Sequence, residues 1–347
     1  MYYRTASVSP LIVMIALVAV LSASLVTGQG AVTASNGGSP QARQSGATTT
    51  WQNEATNTPL PGVGCYTVAN PSLTWTKTTC SPPNSVQFAN VGGSGGFDDI
   101  GSTSSYIAEV NGNVASISGL TSEYDSSLGP TKGADTYSIQ LNSVSWPCTY
   151  NSHSTTCWEQ FVFQNYGAQN SASISIQYAL LSNYGGLYGC PSGWGNVNGA
   201  CYYAPQSLST SVESISTLAS QPVQLKGTAN YYINSGDDVV TMCDSKQCWS
   251  VANFDNQVFS GSGNMLYQNW NQFEWNVFGV CCTDGAIFNT NPSPSFSINV
   301  GSVTAANGNA LTVACTYAPS PTGEYNNLNI VSGSCNQGSG FMSFQEN

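Results

Sequence analysis

From Tyr106 to Glu346 the sequence runs as short stretches in which apolar and polar residues alternate with period two, cut apart by Gly, Pro, Asn and Asp. Period two is the repeat of a strand with one face in a core and the other in a polar environment. In YSIQLN, Tyr137, Ile139 and Leu141 oppose Ser138, Gln140 and Asn142; in QFEWN, Phe273 and Trp275 oppose Gln272, Glu274 and Asn276. Only Leu208 to Ala219 spaces its apolar residues helically, at Leu208, Val212, Ile215 and Leu218. No strand–helix–strand alternation appears, so a parallel α/β sheet is excluded. The pattern predicts an all-β domain over residues 61–347: a two-sheet antiparallel β-sandwich with at most one or two short helices.

The start of the chain is different. Leu11 to Val26 is an apolar run behind Arg4, with small residues Ala31 to Ala34 after it. That shape predicts a signal peptide over residues 1–30, with a membrane anchor as the alternative; the run is short for the roughly 20 residues of a span. Residues 31–60 are rich in Gly, Ser, Thr, Gln and Asn and read as a polar linker or pro-segment. The expected product is secreted and monomeric, with no membrane attachment after signal removal.

Twelve cysteines in an exported chain predict disulfides. Local spacing suggests the couples Cys65/Cys80, Cys148/Cys157, Cys190/Cys201, Cys243/Cys248 and Cys315/Cys335, with Cys281 and Cys282 left over. Cys148/Cys157 and Cys243/Cys248 would staple hairpins, with Cα separations of about 4.4 to 6.8 Å. Zinc is a poor alternative, since there is no C-x-x-C pair and one histidine. Asp98-Asp99 lacks the spaced ligands of a calcium loop. No metal and no cofactor is expected.

Only 7% of residues are charged, with 6 Lys+Arg against 17 Asp+Glu and a net charge of -11. Nothing supplies a basic patch, which excludes nucleic acid as a partner. Amides and hydroxyls carry the solvation and do not titrate in acid, a composition that suits an acidic exterior. His153, the sole histidine, sits in the hydrophilic loop TYNSHSTTC and is a poor triad member. No P-loop or dinucleotide fingerprint follows a strand. Hydrolysis by carboxylates and amides remains, on peptides or on glycosides.

Gln160 and Gln164 lie on the polar side of WEQFVFQNY with Trp158, and Gln177 and Gln224 lie on polar sides of their own strands. If these strands are neighbours, their polar sides form one amide-lined surface around Glu274. An ordinary wet sheet face has the same pattern. Glu159 falls on the opposite side from Gln160, which makes it a poor second acid for Glu274.

Cys157-Trp158-Glu159-Gln160-Phe161-Val162 resembles the Trp-x-Gln strand of the thermopsin-type secreted acid peptidases. Phe273-Glu274-Trp275-Asn276-Val277-Phe278-Gly279, followed by Gly285 and Phe288-Asn289, resembles their Glu-bearing strand. It also resembles, more distantly, the Glu-Trp strand of the eqolisins, the glutamic peptidases with a concanavalin-like sandwich and a Gln/Glu dyad. Cys281-Cys282 departs from the Gly-rich run expected there. The resemblance implies an endopeptidase acting on protein or peptide at about pH 2 to 5, where a free glutamate near about 4.3 is a competent base. Glu274 would activate the water and Gln160 would hold the oxyanion, their side chains within about 3 to 6 Å of each other. Trp158, Gln272, Asn276 and Gln164 would bind substrate. A secreted carbohydrate-binding or carbohydrate-active sandwich, or a noncatalytic surface protein, is the alternative.

Overall fold

The computed structural model describes residues 40–82, 97–221, 223–229, 237–254, 258–259, 264–280, 284–319 and 324–347. The expected signal peptide and the Cys281-Cys282 pair lie outside the described residues. Two antiparallel sheets make the fold. The first contains β1 (Gly64–Ala69), β2 (Thr76–Thr78), β4 (Glu109–Asp125), β12 (Gln224–Thr228), β13 (Asp237–Cys243), β14 (Gln247–Phe254), β16 (Gly285–Thr304), β18 (Tyr325–Asn326), β19 (Asn336–Gly338) and β20 (Phe341–Glu346). The second contains β3 (Phe97–Thr103), β5 (Thr136–Ser143), β6 (Trp146–Tyr150), β7 (His153–Tyr166), β8 (Ser171–Leu180), β9 (Gly195–Val197), β10 (Ala200–Tyr203), β11 (Ser207–Ser209), β15 (Gln272–Phe278) and β17 (Val313–Pro319). Its central order is β17-β3-β15-β5-β7-β8-β10. The short pair β16–β18 is parallel.

The inner faces meet as the alternation predicts. Tyr137, Ile139, Leu141, Phe161, Phe163, Ile176 and Trp275 of the second sheet pack on Leu225, Val240, Val251 and Ile298 of the first, all of them buried. Two large rings need backbone without side chains beneath them. Phe273 lies over Gly101, and Trp275 lies over Gly112 while its Nε1 donates to the Leu225 carbonyl at 3.1 Å. Together they fix the height and register of β15. A methyl group at Gly112 would stand 2.6 Å from Trp275 Nε1. Gly112→Ala should therefore cost about 1–3 kcal/mol, read as a lowered urea midpoint.

Five disulfides join the couples that local spacing suggests. Cys148–Cys157 and Cys243–Cys248 staple the β6–β7 and β13–β14 hairpins; the first has a Cα separation of 5.7 Å, within the expected range, and the second 4.1 Å, below it, because Cys243 and Cys248 are directly opposite in the ladder. Cys65–Cys80, Cys190–Cys201 and Cys315–Cys335 close longer loops. Replacing Cys148 and Cys157 together by serine should lower stability by about 2.5 kcal/mol in urea unfolding, the chain-entropy value for a loop of that length.

The helices depart from the sequence reading, which allowed one or two. Four occur among the described residues: α1 (Pro40–Asn57), α2 (Gly129–Lys132), α3 (Tyr184–Tyr188) and α4 (Ile215–Ser220). The segment expected as a linker is mostly α1, and the compact unit begins at Pro40. Trp51 and Ala55 bury against Val239, Ala252 and the Cys243–Cys248 bridge on the outer side of the first sheet. Lys226 reaches up from that sheet, pairs with Glu109 at 2.8 Å and donates to the Thr56 carbonyl at 3.0 Å, where a helix C-terminus leaves carbonyls open. Tertiary burial overrides the weak helix propensity of this Thr-rich run. The expected helix over Leu208–Ala219 divides. Leu208 pairs with Ile174 in β11, and α4 starts only at Ile215, where Ser214 Oγ accepts from Thr217 N at 3.2 Å as an N-cap.

Candidate functional site

The outer face of the second sheet carries the polar halves of four adjacent strands. Register places Glu274 opposite Asn142, Asn142 opposite Gln160, and Gln160 opposite Gln177. Glu274 and Gln160 thus share a face and a cross-strand row, as the alternation predicts. They are not neighbours. β5 lies between their strands, which sets their Cα atoms roughly 10 Å apart at two strand spacings. Gln160 Nε2 donates to Gln177 Oε1 at 2.6 Å, away from Glu274. The amide that reaches Glu274 is Asn142, whose Nδ2 donates to Glu274 Oε2 at 2.9 Å. The expected Gln160–Glu274 contact is therefore replaced by an Asn142–Glu274 contact.

A second carboxyl, absent from the sequence reading, joins the same network. Asn142 Nδ2 also donates to Gln140 Oε1 at 3.2 Å, and Gln140 Nε2 donates to Glu324 Oε2 and, at 2.7 Å, to Ser138 Oγ. Glu274 and Glu324 are thereby joined through two amides, within roughly 10 Å at ordinary hydrogen-bond lengths. Burial raises the Glu324 carboxyl to about 8; the bond from Gln140 opposes this, and Asp284 and Asp125 add to it. Glu324 follows a Pro- and Gly-rich stretch with no periodicity, so no sequence pattern assigns it a face.

The face is closed rather than open as a groove. Glu274 is 1% exposed and Gln160 3%, and Gln140, Asn142, Gln164, Gln177 and Asn276 are buried too. Gln164 Nε2 donates to the Val280 carbonyl at 3.4 Å, and Asn276 Nδ2 donates to Glu346 Oε1 at 2.8 Å. Both amides are structural ties here. Trp158 packs on Ala179 and Tyr202 and donates to the Ser143 carbonyl at 2.9 Å, so it closes the sheet instead of offering a stacking surface. Only Gln272 of the expected substrate-binding residues is half-exposed. It lines a cavity of about 50 Å³ with Ile100, Asn142, Ser143, Val144, Phe273 and Glu274. That volume admits water. Asn142 Oδ1, buried, accepts no hydrogen bond from the protein, and a water in this cavity would supply one.

Elsewhere, Glu159 is buried on the inner side, as its position predicts. His153 stacks on Tyr188 with ring centres 3.9 Å apart. No metal-binding group of three or more His, Cys, Asp or Glu occurs among the described residues. The Asp98 side chain lies outside them.

These features define a disulfide-stapled, two-sheet antiparallel β-sandwich with a hydrogen-bonded carboxyl–amide face. Set against protein-family models and against curated proteins, the chain matches none.

Proposed function

We propose that the protein is a secreted acid hydrolase of peptide bonds, with Glu274 as the base that activates water. The observation that carries this reading is the water-sized cavity bounded by Glu274 and Asn142. A water there can lose its proton to the Glu274 carboxylate as it attacks a carbonyl. As Glu274 takes the proton it weakens as an acceptor, and the Asn142 N–H is released toward the oxyanion. Protonated Glu274 then supplies the leaving amine. Glu324 is a positioning residue. By accepting from Gln140 Nε2 it turns Gln140 Oε1 toward Asn142, and so keeps the Asn142 N–H on Glu274. It is neutral in the acid range and adds no second charge to the site. Gln160 stands one strand further on and secures the row through Gln177. Peptide entry must widen the cavity at its half-exposed edge, Ile100, Val144 and Gln272.

The paired carboxyls favour one other reading. Two carboxyls within roughly 10 Å approach the separation of about 6.5–9.5 Å used by inverting glycosidases. The two are separated by incubating the purified chain, without added metal, with a denatured protein and with neutral polysaccharides from pH 2 to 8. New peptide termini at about pH 2 to 5, with no reducing ends, are expected. Reducing ends without peptides would transfer the site to glycosides.

A further inference from the structure

A second cavity is built from residues that the hydrolytic site does not use. It encloses about 330 Å³ and is lined by Ser211, Val212, Glu213, Thr217, Gln221, Asp244, Lys246, Gln247 and Trp249. That volume is at the lower end of small-molecule sites, about 300 to 1,000 Å³. Its floor is rigid. The Glu213 carbonyl accepts from Tyr137 Oη at 2.6 Å and from Asn165 Nδ2 at 3.0 Å, and its N–H donates to Asn165 Oδ1 at 3.0 Å. Asp244 sits in the turn clipped by Cys243–Cys248, where its Oδ1 accepts from the N–H groups of Lys246 and Gln247 at 2.7 and 2.6 Å.

The two carboxyls meet at one hydroxyl. Ser211 Oγ is 2.7 Å from Glu213 Oε1 and 3.1 Å from Asp244 Oδ2. A hydroxyl has one proton to donate, so one of these contacts must be made by a carboxylic-acid proton. Glu213 is the group that holds it: burial lifts its carboxyl to about 7, the Ser211 bond opposing and Asp244 adding to the rise. Glu213 is 3% exposed, and its Oε2 accepts no hydrogen bond from a protein N–H or O–H. A buried carboxyl oxygen left in that state is unfavourable until a donor arrives. Above this floor stand half-exposed hydroxyl and amide groups, Ser211, Thr217, Gln221 and Gln247, with Trp249 as one wall.

We propose that this cavity is a binding site for one ring of a neutral, hydroxyl-rich ligand, a saccharide unit. The floor offers carboxyl acceptors to ligand hydroxyls. The rim can both donate and accept, as hydroxyls require. Trp249 supplies the apolar wall that a sugar ring's C–H face needs. A cationic amine is the competitor for an acidic floor, but Lys246 lines the same cavity and Glu213 is neutral in acid. This site is independent of hydrolysis at Glu274.

The test is calorimetric titration of the full mature chain at pH 5 with cello-, xylo- and maltohexaose, and separately with spermidine. Saturable binding of at least one oligosaccharide is expected. Gln247→Ala, on a half-exposed side chain, should weaken it about tenfold at an unchanged melting temperature, and Ser211→Ala, which removes the hydroxyl shared by the two carboxyls, should weaken it about tenfold with some loss of thermal stability. Glu274→Gln should leave it intact, which separates this site from the hydrolytic one. No saturable oligosaccharide binding at millimolar concentration, affinity unchanged in both pocket variants, or preferential binding of spermidine would each overturn the proposal.

Discussion

Glu274→Gln is expected to lower peptide hydrolysis by about 10²–10⁴-fold, the range for removal of a general base. The substitution preserves size, and the new amide oxygen still accepts from Asn142 Nδ2 in place of Glu274 Oε2. The melting temperature should therefore stay within a degree or two of the parent. Asn142→Ala removes the N–H that reaches Glu274 and should cost about 10²–10³-fold in turnover. The double variant should be little worse than Glu274→Gln alone, because both residues act on one water. Glu324→Leu breaks the amide chain at its far end. It should lower turnover by about tenfold, and Glu324→Gln, which can still accept from Gln140, should recover most of that loss. Rescue by the amide is the outcome a purely space-filling role would not give. A chain whose turnover survives Glu274→Gln uses another base.

The second large effect is on stability, and its direction is unusual for a globular protein. Among the described residues, burial lifts the carboxyls of Glu123 to about 9, Glu324 to about 8, Glu213 to about 7 and Asp284 to about 6. For Glu123, the neighbouring charges of Asp135 and Asp125 add to burial. In the unfolded chain such groups titrate near about 4. A carboxyl whose folded value is raised binds its proton more tightly in the native state. Its contribution is complete below about pH 4 and is lost as pH rises from there to the folded value, a window that closes at about 6 for Asp284 and about 9 for Glu123. Glu123 alone loses several kcal/mol over that window, a large share of the 5–15 kcal/mol that holds a typical domain. Thermal unfolding should show a plateau of highest stability below about pH 4 and a melting temperature that falls by about ten degrees or more from there to about pH 9, most steeply between about pH 4 and 6, where all of these groups contribute. Glu123→Gln should flatten that fall. A stability maximum at neutral pH would show these carboxyls to be less confined than their burial indicates.

Much of the sandwich is legible in the sequence, because period-two alternation states which side of each strand is apolar. Tyr137, Ile139, Leu141, Phe161 and Trp275 fall inside by that rule, and Gln140, Asn142, Gln160 and Glu274 fall outside. The five disulfides are legible for a related reason, since short spacing across a turn brings cysteines together whatever the rest of the chain does. Alternation is silent on strand order. The placement of β5 between β15 and β7 depends on the pairing of β5 with β15, 132 residues apart at Asn142 and Glu274, and it decides that Asn142 and not Gln160 touches Glu274. Alternation is silent, too, on what covers a polar face. Trp158, Gln164 and Asn276 have the composition of a binding surface, yet each is buried and bonded to protein. Helix α1 was hidden because Trp51 and Ala55 gain their stability from the sheet beneath and little from their own segment.

The measurement that bears most directly on the role of Glu274 is mass spectrometry of a denatured protein substrate digested at pH 3.5 in H₂¹⁸O, by the parent chain and by Glu274→Gln. New peptide C-termini carrying ¹⁸O from the parent, with yields at least a hundredfold lower from the variant, are the predicted result. Equal yields from both proteins, or no new termini from the parent across the acid range, would contradict it.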